Sequence, residues 1–97
     1  MRQIQSNLIS VGHEQLTTAS GAVGLTASNY AGARYAYISV SGSAVRWRDD
    51  GISPTAAVGQ LLATGGTTQP FLYTGPLNQI EFIETAADAT VDVSYYK

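Results

Sequence analysis

Apolar and polar residues alternate along most of this chain, in runs that are rich in Thr, Val, Ile and Tyr. Alternation with a period of two is typical of β-strands. Gly, Ser, Asn, Asp and Pro interrupt the runs about every eight to twelve residues, a spacing typical of a β-sandwich or barrel. The pattern predicts about eight short strands, at 8–11 with a continuation at 15–18, 22–26, 35–41, 44–48, 60–64, 70–73, 79–84 and 90–96.

Three of the predicted strands show which of their faces is buried. Successive side chains of a strand point to opposite faces, so every second residue shares a face. The core-facing residues predicted for strands 35–41 and 90–96 are Ala36, Ile38, Val40, Val91, Val93 and Tyr95. Tyr35, Tyr37 and Tyr96 are then predicted to lie on outer faces. In strand 44–48, Val45 and Trp47 share the face that we expect to be buried.

Turn residues between the runs predict how the strands are connected. Gly42-Ser43 has the composition of a hairpin turn, which would pair strand 35–41 with strand 44–48. The segment 86–89 would similarly join strands 79–84 and 90–96 into the last antiparallel pair. We therefore expect two hairpins between sequential strands.

Other local signals refine this outline. Gly12 predicts a bend or bulge within the first strand, and 27–31 predicts one helical turn with Thr26 or Ser28 as its cap. Pro70 has no amide proton for a sheet ladder, so 70–73 is predicted to be an edge strand. Asp49-Asp50-Gly51 is predicted to be a tight turn after strand 44–48.

The length of 97 residues, with no cysteine, favours one domain without disulfides. We expect an all-β fold: a single compact β-sandwich or jelly-roll-like domain of antiparallel strands over 8–97, preceded by a polar N-terminal arm over 1–7. The residues of the arm could form a β-strand, but they lack the alternation of apolar and polar residues that marks a strand packed on a core. We expect it to add a strand to a neighbouring chain or to lie across an assembly.

Charged residues are scarce, at 12% of the chain, and Lys97 is the single lysine. Few lysines together with many tyrosines are typical of the core of a protein interface, although a Ser/Thr-rich surface that is merely uncharged would look the same. The net charge of −2 offers no basic stripe for nucleic acid. No apolar run approaches the ~20 residues that span a bilayer, and no secretory signal is evident.

The residues that could support catalysis are few and scattered. His13 and Glu14 are neighbours, so in a strand their side chains would point to opposite faces. The pair Asp49-Asp50 lacks the spacing of a calcium loop, and the glycine-rich segment 65–68 lacks the lysine and helix of a phosphate loop. We therefore predict no catalytic, cofactor-binding or metal-binding residues and no cofactor.

Trp47 allows two interpretations. It is either a core residue or, together with the outward tyrosines, part of an aromatic surface that stacks against sugar rings. Arg46 and Arg48, which flank it, are predicted to point outward. There they can pair with acidic residues of neighbouring strands, for which the candidates are Glu81, Glu84 and Asp92.

Residues 14–96 resemble a family of small structural proteins of tailed bacteriophages. The resemblance rests on EQLT at 14–17, AVGLT at 22–26, VRWRDDG at 45–51, PTAxVGxLL at 54–62 and VxVSYY at 91–96. It implies a virion-associated β-sandwich without a catalytic motif, encoded among head and tail genes. The segment 65–70 departs from the family by looking like an insertion where a tighter glycine turn is expected.

The resemblance and the composition together give a functional hypothesis. We expect a non-enzymatic capsid decoration or cement protein that is assembled in the host cytoplasm and set on the capsid surface. It would bind the major capsid protein or other virion proteins as a homo-oligomer, with a trimer favoured. The alternatives are a glycan-binding or host-attachment module on a tail or head fibre, and a component of the head–tail junction or tail.

Overall fold

The strands of this chain form a sandwich of two antiparallel four-stranded sheets in the computed structural model, which describes residues 9–17, 21–64 and 70–97. In these residues the elements are β1 Ser10–Thr17, β2 Val23–Gly24, α1 Ala27–Tyr30, β3 Tyr35–Ser41, β4 Val45–Arg48, β5 Gln60–Leu62, β6 Phe71–Tyr73, β7 Glu81–Glu84 and β8 Thr90–Tyr96. The first sheet has the strand order β1-β8-β3-β6, and the second has the order β2-β7-β4-β5. The prediction of an all-β sandwich of about eight strands is confirmed.

The core lies between the sheets and is built from the alternating positions that the sequence predicted. In the first sheet Ile38 lies opposite Val93, and Ala36 lies opposite Tyr95. All six predicted core residues of β3 and β8 are buried. The second sheet contributes Val45 and Phe82, both fully buried. Burying side chains of this size is the main source of stability in such a domain, at about 1.5–3 kcal/mol each.

The predicted hairpin at Gly42-Ser43 is wrong. β3 pairs with β8 and β6 in the first sheet, whereas β4 pairs with β7 and β5 in the second. The chain therefore crosses from one sheet to the other through this turn. Gly42 has φ +85°, and a Cβ there would overlap the carbonyl oxygen of Asp88. Only glycine combines this backbone conformation with so close an approach.

The predicted pairing of strands 79–84 and 90–96 is wrong for the same reason. β7 lies between β2 and β4, and β8 lies between β1 and β3, so the segment between them is a second crossing. The two crossings are bound to each other. Ser43 Oγ donates to Ala87 O at 2.7 Å, and Thr85 N donates to Ala44 O at 3.0 Å. Each crossing thus supplies the hydrogen bonds that the other needs.

β1 is a single strand, with a bulge between Ser10 and Gly12 as predicted. A Cβ at Gly12 would lie 2.6 Å from Asn29 O, so the absence of a side chain lets α1 pack against β1. Thr26 is the N-cap residue of α1 but makes no side-chain capping bond. β6 is an edge strand, as the proline before it predicted. The predicted arm at 1–7 lies outside the described residues.

Candidate binding groove

A groove of about 570 Å³ opens beside β4 and β5. Its lining comes from the end of β4 and the turn that follows, residues 47–50, and from the chain that enters β5, residues 58–60. We call it the Trp47 groove. It brings together the sequence segments 45–51 and 54–62.

Trp47 forms the aromatic part of this groove and is held from two sides. Its ring stacks on Phe71 of β6, with centroids 5.9 Å apart and 19° between the planes. The ring of Tyr73 meets it edge-on, also at 5.9 Å. Trp47 is half-buried and packs against the core cluster. It therefore contributes to the core and also lines the groove, whereas the outward tyrosines predicted to share an aromatic surface with it lie on the first sheet.

The wall formed by residues 53–59 is fixed to β4 by Arg46. The guanidinium donates to Ala56 O at 3.1 Å and to Gly59 O at 2.9 Å. Thr55 and Val58 close a small turn by exchanging backbone hydrogen bonds of 2.9 and 3.1 Å. These hydrogen bonds hold the wall against β4.

Gly59 is the tightest point of this wall. Its φ is +143°, and an added Cβ would lie 3.1 Å from both Arg46 Cβ and Trp47 O. L residues with a side chain rarely adopt such a φ. Glycine at this position lets the wall lie directly against β4.

The acidic residues of the turn are held by hydrogen bonds. The Arg48 guanidinium donates twice to the Asp50 carboxylate, with Nε at 3.0 Å from Oδ1. This pairing lowers the pKa of Asp50 and raises the pKa of Arg48. Arg48 therefore pairs with Asp50 of its own turn rather than with an acidic residue of a neighbouring strand. Gly51 has φ +86°, which agrees with the predicted tight turn.

Asp49 is oriented by Tyr73, whose hydroxyl donates to Asp49 Oδ2 at 2.7 Å. Burial, and then the hydrogen bond to Asp49, raise the pKa of Tyr73 above its usual range. The phenol therefore stays protonated and remains a donor at all ordinary pH values. It fixes one carboxylate at the rim of the Trp47 groove.

A smaller cavity of about 210 Å³ adjoins the Trp47 groove. Trp47 and Gln60, which are cross-strand partners on β4 and β5, line both spaces. The smaller cavity is otherwise apolar, because Leu61, Leu62 and Phe71 complete it. Leu61 is 54% exposed.

The other residues considered from the sequence lie apart from this groove. His13 is exposed on the first sheet, where its Nε2 is 3.9 Å from Asp92 Oδ1. Tyr37 is exposed on the outer face of the same sheet, opposite Leu72 of β6. Within the described residues, no three His, Cys, Asp or Glu side chains form a group that could hold a metal ion. The glycine-rich segment 65–68 falls within the residues that the structure leaves undescribed.

Sequence reasoning missed a polar contact at the opposite side of the sandwich. The buried Tyr95 hydroxyl donates to Glu14 Oε2, and Thr26 donates to the same carboxylate from its backbone N at 2.9 Å and its Oγ1 at 2.7 Å. Burial alone would raise the pKa of Glu14, but the hydrogen bonds from Tyr95 and Thr26 outweigh it and lower the pKa. His13 and Glu14 do point to opposite faces, as predicted.

No protein-family model matches this chain, and no curated protein or solved structure matches it significantly. None of the helical structure in the described ranges is long and apolar enough to cross a bilayer.

Proposed function

We propose that this protein is a non-enzymatic structural component of a tailed-phage virion, namely a capsid decoration protein that binds the head lattice. The virion assignment rests on the resemblance of residues 14–96 to phage structural proteins. The proposal that the protein acts by binding other subunits rests on its surface.

The observation that carries this second step is a set of three exposed aliphatic side chains in one short segment, of which Val58 lines the Trp47 groove and Leu61 lines the cavity beside it. Ile52, Val58 and Leu61 are 58%, 52% and 54% exposed, and all three lie in the segment 52–61. Large apolar side chains that are exposed close together commonly mark an interaction surface. The segment 52–61 contains no charged residue, so docking through it would desolvate little charge.

A decoration role also suits the energetics of this domain. A chain of 97 residues buries a modest fraction of its unfolded surface, so its own stability margin is small. Binding to a lattice stabilises the folded state by mass action. In return, the protein would bridge neighbouring capsid subunits and resist internal pressure.

The proposal is tested first by mapping the peptides of purified phage particles. We expect this chain in the particle, removable from the head without opening it. Its absence from purified particles would overturn the proposal.

A surface variant then tests the binding mechanism. We expect Leu61→Asp to fold normally, because Leu61 is exposed, and to bind stripped heads more weakly than the wild-type chain. Ser41→Asp places the same charge at an exposed position of the first sheet and serves as the matched control. Equal binding by both variants would exclude the aliphatic surface as the docking site.

The mass in solution, measured by light scattering, distinguishes positions on the virion. A trimer favours decoration at three-fold lattice positions. A six-fold or twelve-fold ring favours the alternative, a component of the head–tail junction or tail.

A further inference from the structure

We propose that the Trp47 groove is a binding site for a neutral saccharide of the kind found in cell-surface glycans. This goes beyond the decoration role, since a lattice protein needs no small-molecule site. The inference rests on the shape, the residues and the charge of the groove.

The groove has the size and composition of a ligand site. Pockets for small molecules commonly measure about 300–1,000 Å³ and combine apolar surface with a few fixed polar groups. The Trp47 groove measures about 570 Å³ and has Trp47 and Val58 as its apolar residues. Because Trp47 is stacked on Phe71 and Tyr73 meets it edge-on, its ring is held in a fixed position at the groove.

The polar groups in the groove suit hydroxyl groups. Asp49 and Asp50 are acceptors, and the Gln60 side chain is both donor and acceptor. The hydrogen bonds from Tyr73 and Arg48 orient the two carboxylates, and each carboxylate has about four acceptor sites, more than those bonds use. A sugar ring offers hydroxyls that both donate and accept around its edge, and an apolar C–H face that fits an indole.

The charge and the residues of the groove argue against an anion and against a metal ion. Arg48 is paired with Asp50, and Asp49 adds one further negative charge, so the lining carries a net charge of about −1 at neutral pH. An anion would be repelled by this net charge. A metal ion lacks a set of three ligating side chains in the described residues.

The experiment uses Trp47 itself as the reporter, because it is the single tryptophan of the chain. Its emission is measured while the full-length protein is titrated with glucose, galactose, mannose, N-acetylglucosamine and short oligomers of each. Acrylamide quenching in the same buffer establishes that small solutes reach the indole. We expect a saturable change in emission with at least one sugar.

Two variants, each of which removes one side-chain amide, test whether the groove is the binding site. We expect Gln60→Ala to weaken sugar binding about tenfold, the effect of losing one well-formed hydrogen bond. Gln15→Ala removes an exposed amide from the first sheet and should leave binding unchanged. Both residues are exposed, so the urea midpoints should match the wild-type value.

The proposal is overturned if acrylamide reaches Trp47 but no sugar gives a saturable change. It is also overturned if Gln60→Ala and Gln15→Ala bind sugar as tightly as the wild type, or if only peptides change the emission. Binding to phage heads is measured separately with the Leu61→Asp variant, so failure of the saccharide site leaves the decoration proposal standing.

Discussion

Removing the buried hydroxyl with Tyr95→Phe should destabilise the protein through the loss of a single hydrogen bond. Tyr95 is fully buried on β8, and its hydroxyl donates to the Glu14 carboxylate on β1. A hydrogen bond to a charged group contributes about 1.5–3 kcal/mol to stability. For a domain of this size each kcal/mol lowers the Tm by about 4–8 °C. The ring remains in place, so no cavity larger than the oxygen is left.

The size of this loss should depend on pH. The pKa of Glu14 is lowered in the folded state, because the hydrogen bonds to its carboxylate outweigh burial. Its contribution is fully present above the unfolded pKa of about 4.5 and is lost as the pH falls through the lower folded pKa. A protonated Glu14 offers Tyr95 only a neutral acceptor. The cost of Tyr95→Phe should then fall to about 1 kcal/mol.

The assay is urea unfolding of wild type and variant at about pH 7 and at an acid pH that protonates Glu14 in the folded state. Tyr37→Phe is the matched control, because Tyr37 is exposed on β3 and should change stability by less than about 0.5 kcal/mol. Combined with Glu14→Gln in a double-mutant cycle, Tyr95→Phe should be non-additive by about 1 kcal/mol. An equal cost at both pH values, or a cost no larger than that of Tyr37→Phe, would refute the reasoning.

Five further substitutions test the packing of the sandwich by urea unfolding. Ile38→Ala should cost about 2–5 kcal/mol, because Ile38 is fully buried; a smaller loss would mean that the core collapses around the cavity. Gly42→Ala should prevent folding, whereas Gly32→Ala, with a similar φ but no atom within 4 Å, should cost about 1–3 kcal/mol. Gly59→Ala should cost more than Gly51→Ala, which meets no neighbouring atom; equal losses would exclude crowding at β4.

The sequence predicted the faces of the strands well but not their neighbours. The alternation of apolar and polar residues shows which side chains of β3 and β8 are buried, because the face to which a side chain points depends only on its position within its own strand. Which strand lies alongside depends on contacts between distant residues. The turn at Gly42-Ser43 has hairpin composition, yet it carries the chain across the sandwich, where the Ser43 hydroxyl donates to Ala87 O and the Ala44 carbonyl accepts from Thr85 N.

The groove could be predicted only in part. Trp47 stood out as a candidate because it is a single tryptophan in a β-domain, and the turn 49–51 was identified from its composition. Gln60 gave no signal, since it reaches the groove only because β5 pairs with β4 at that register. The contact between Glu14 and Tyr95 joins residues that are 81 positions apart, and no local pattern encodes it.

The strand order of the first sheet constrains the route by which this protein reaches its native state. β8 is a central strand, and β1 pairs with β8 along Ser10 to Thr17. During synthesis β1 leaves the ribosome first but meets its partner only after Tyr96 has been added. Pairings between such distant segments form slowly, and until then β1 and β3 expose edges that other chains can pair with. Refolding at low protein concentration should therefore favour correct strand pairing within one chain over aggregation between chains.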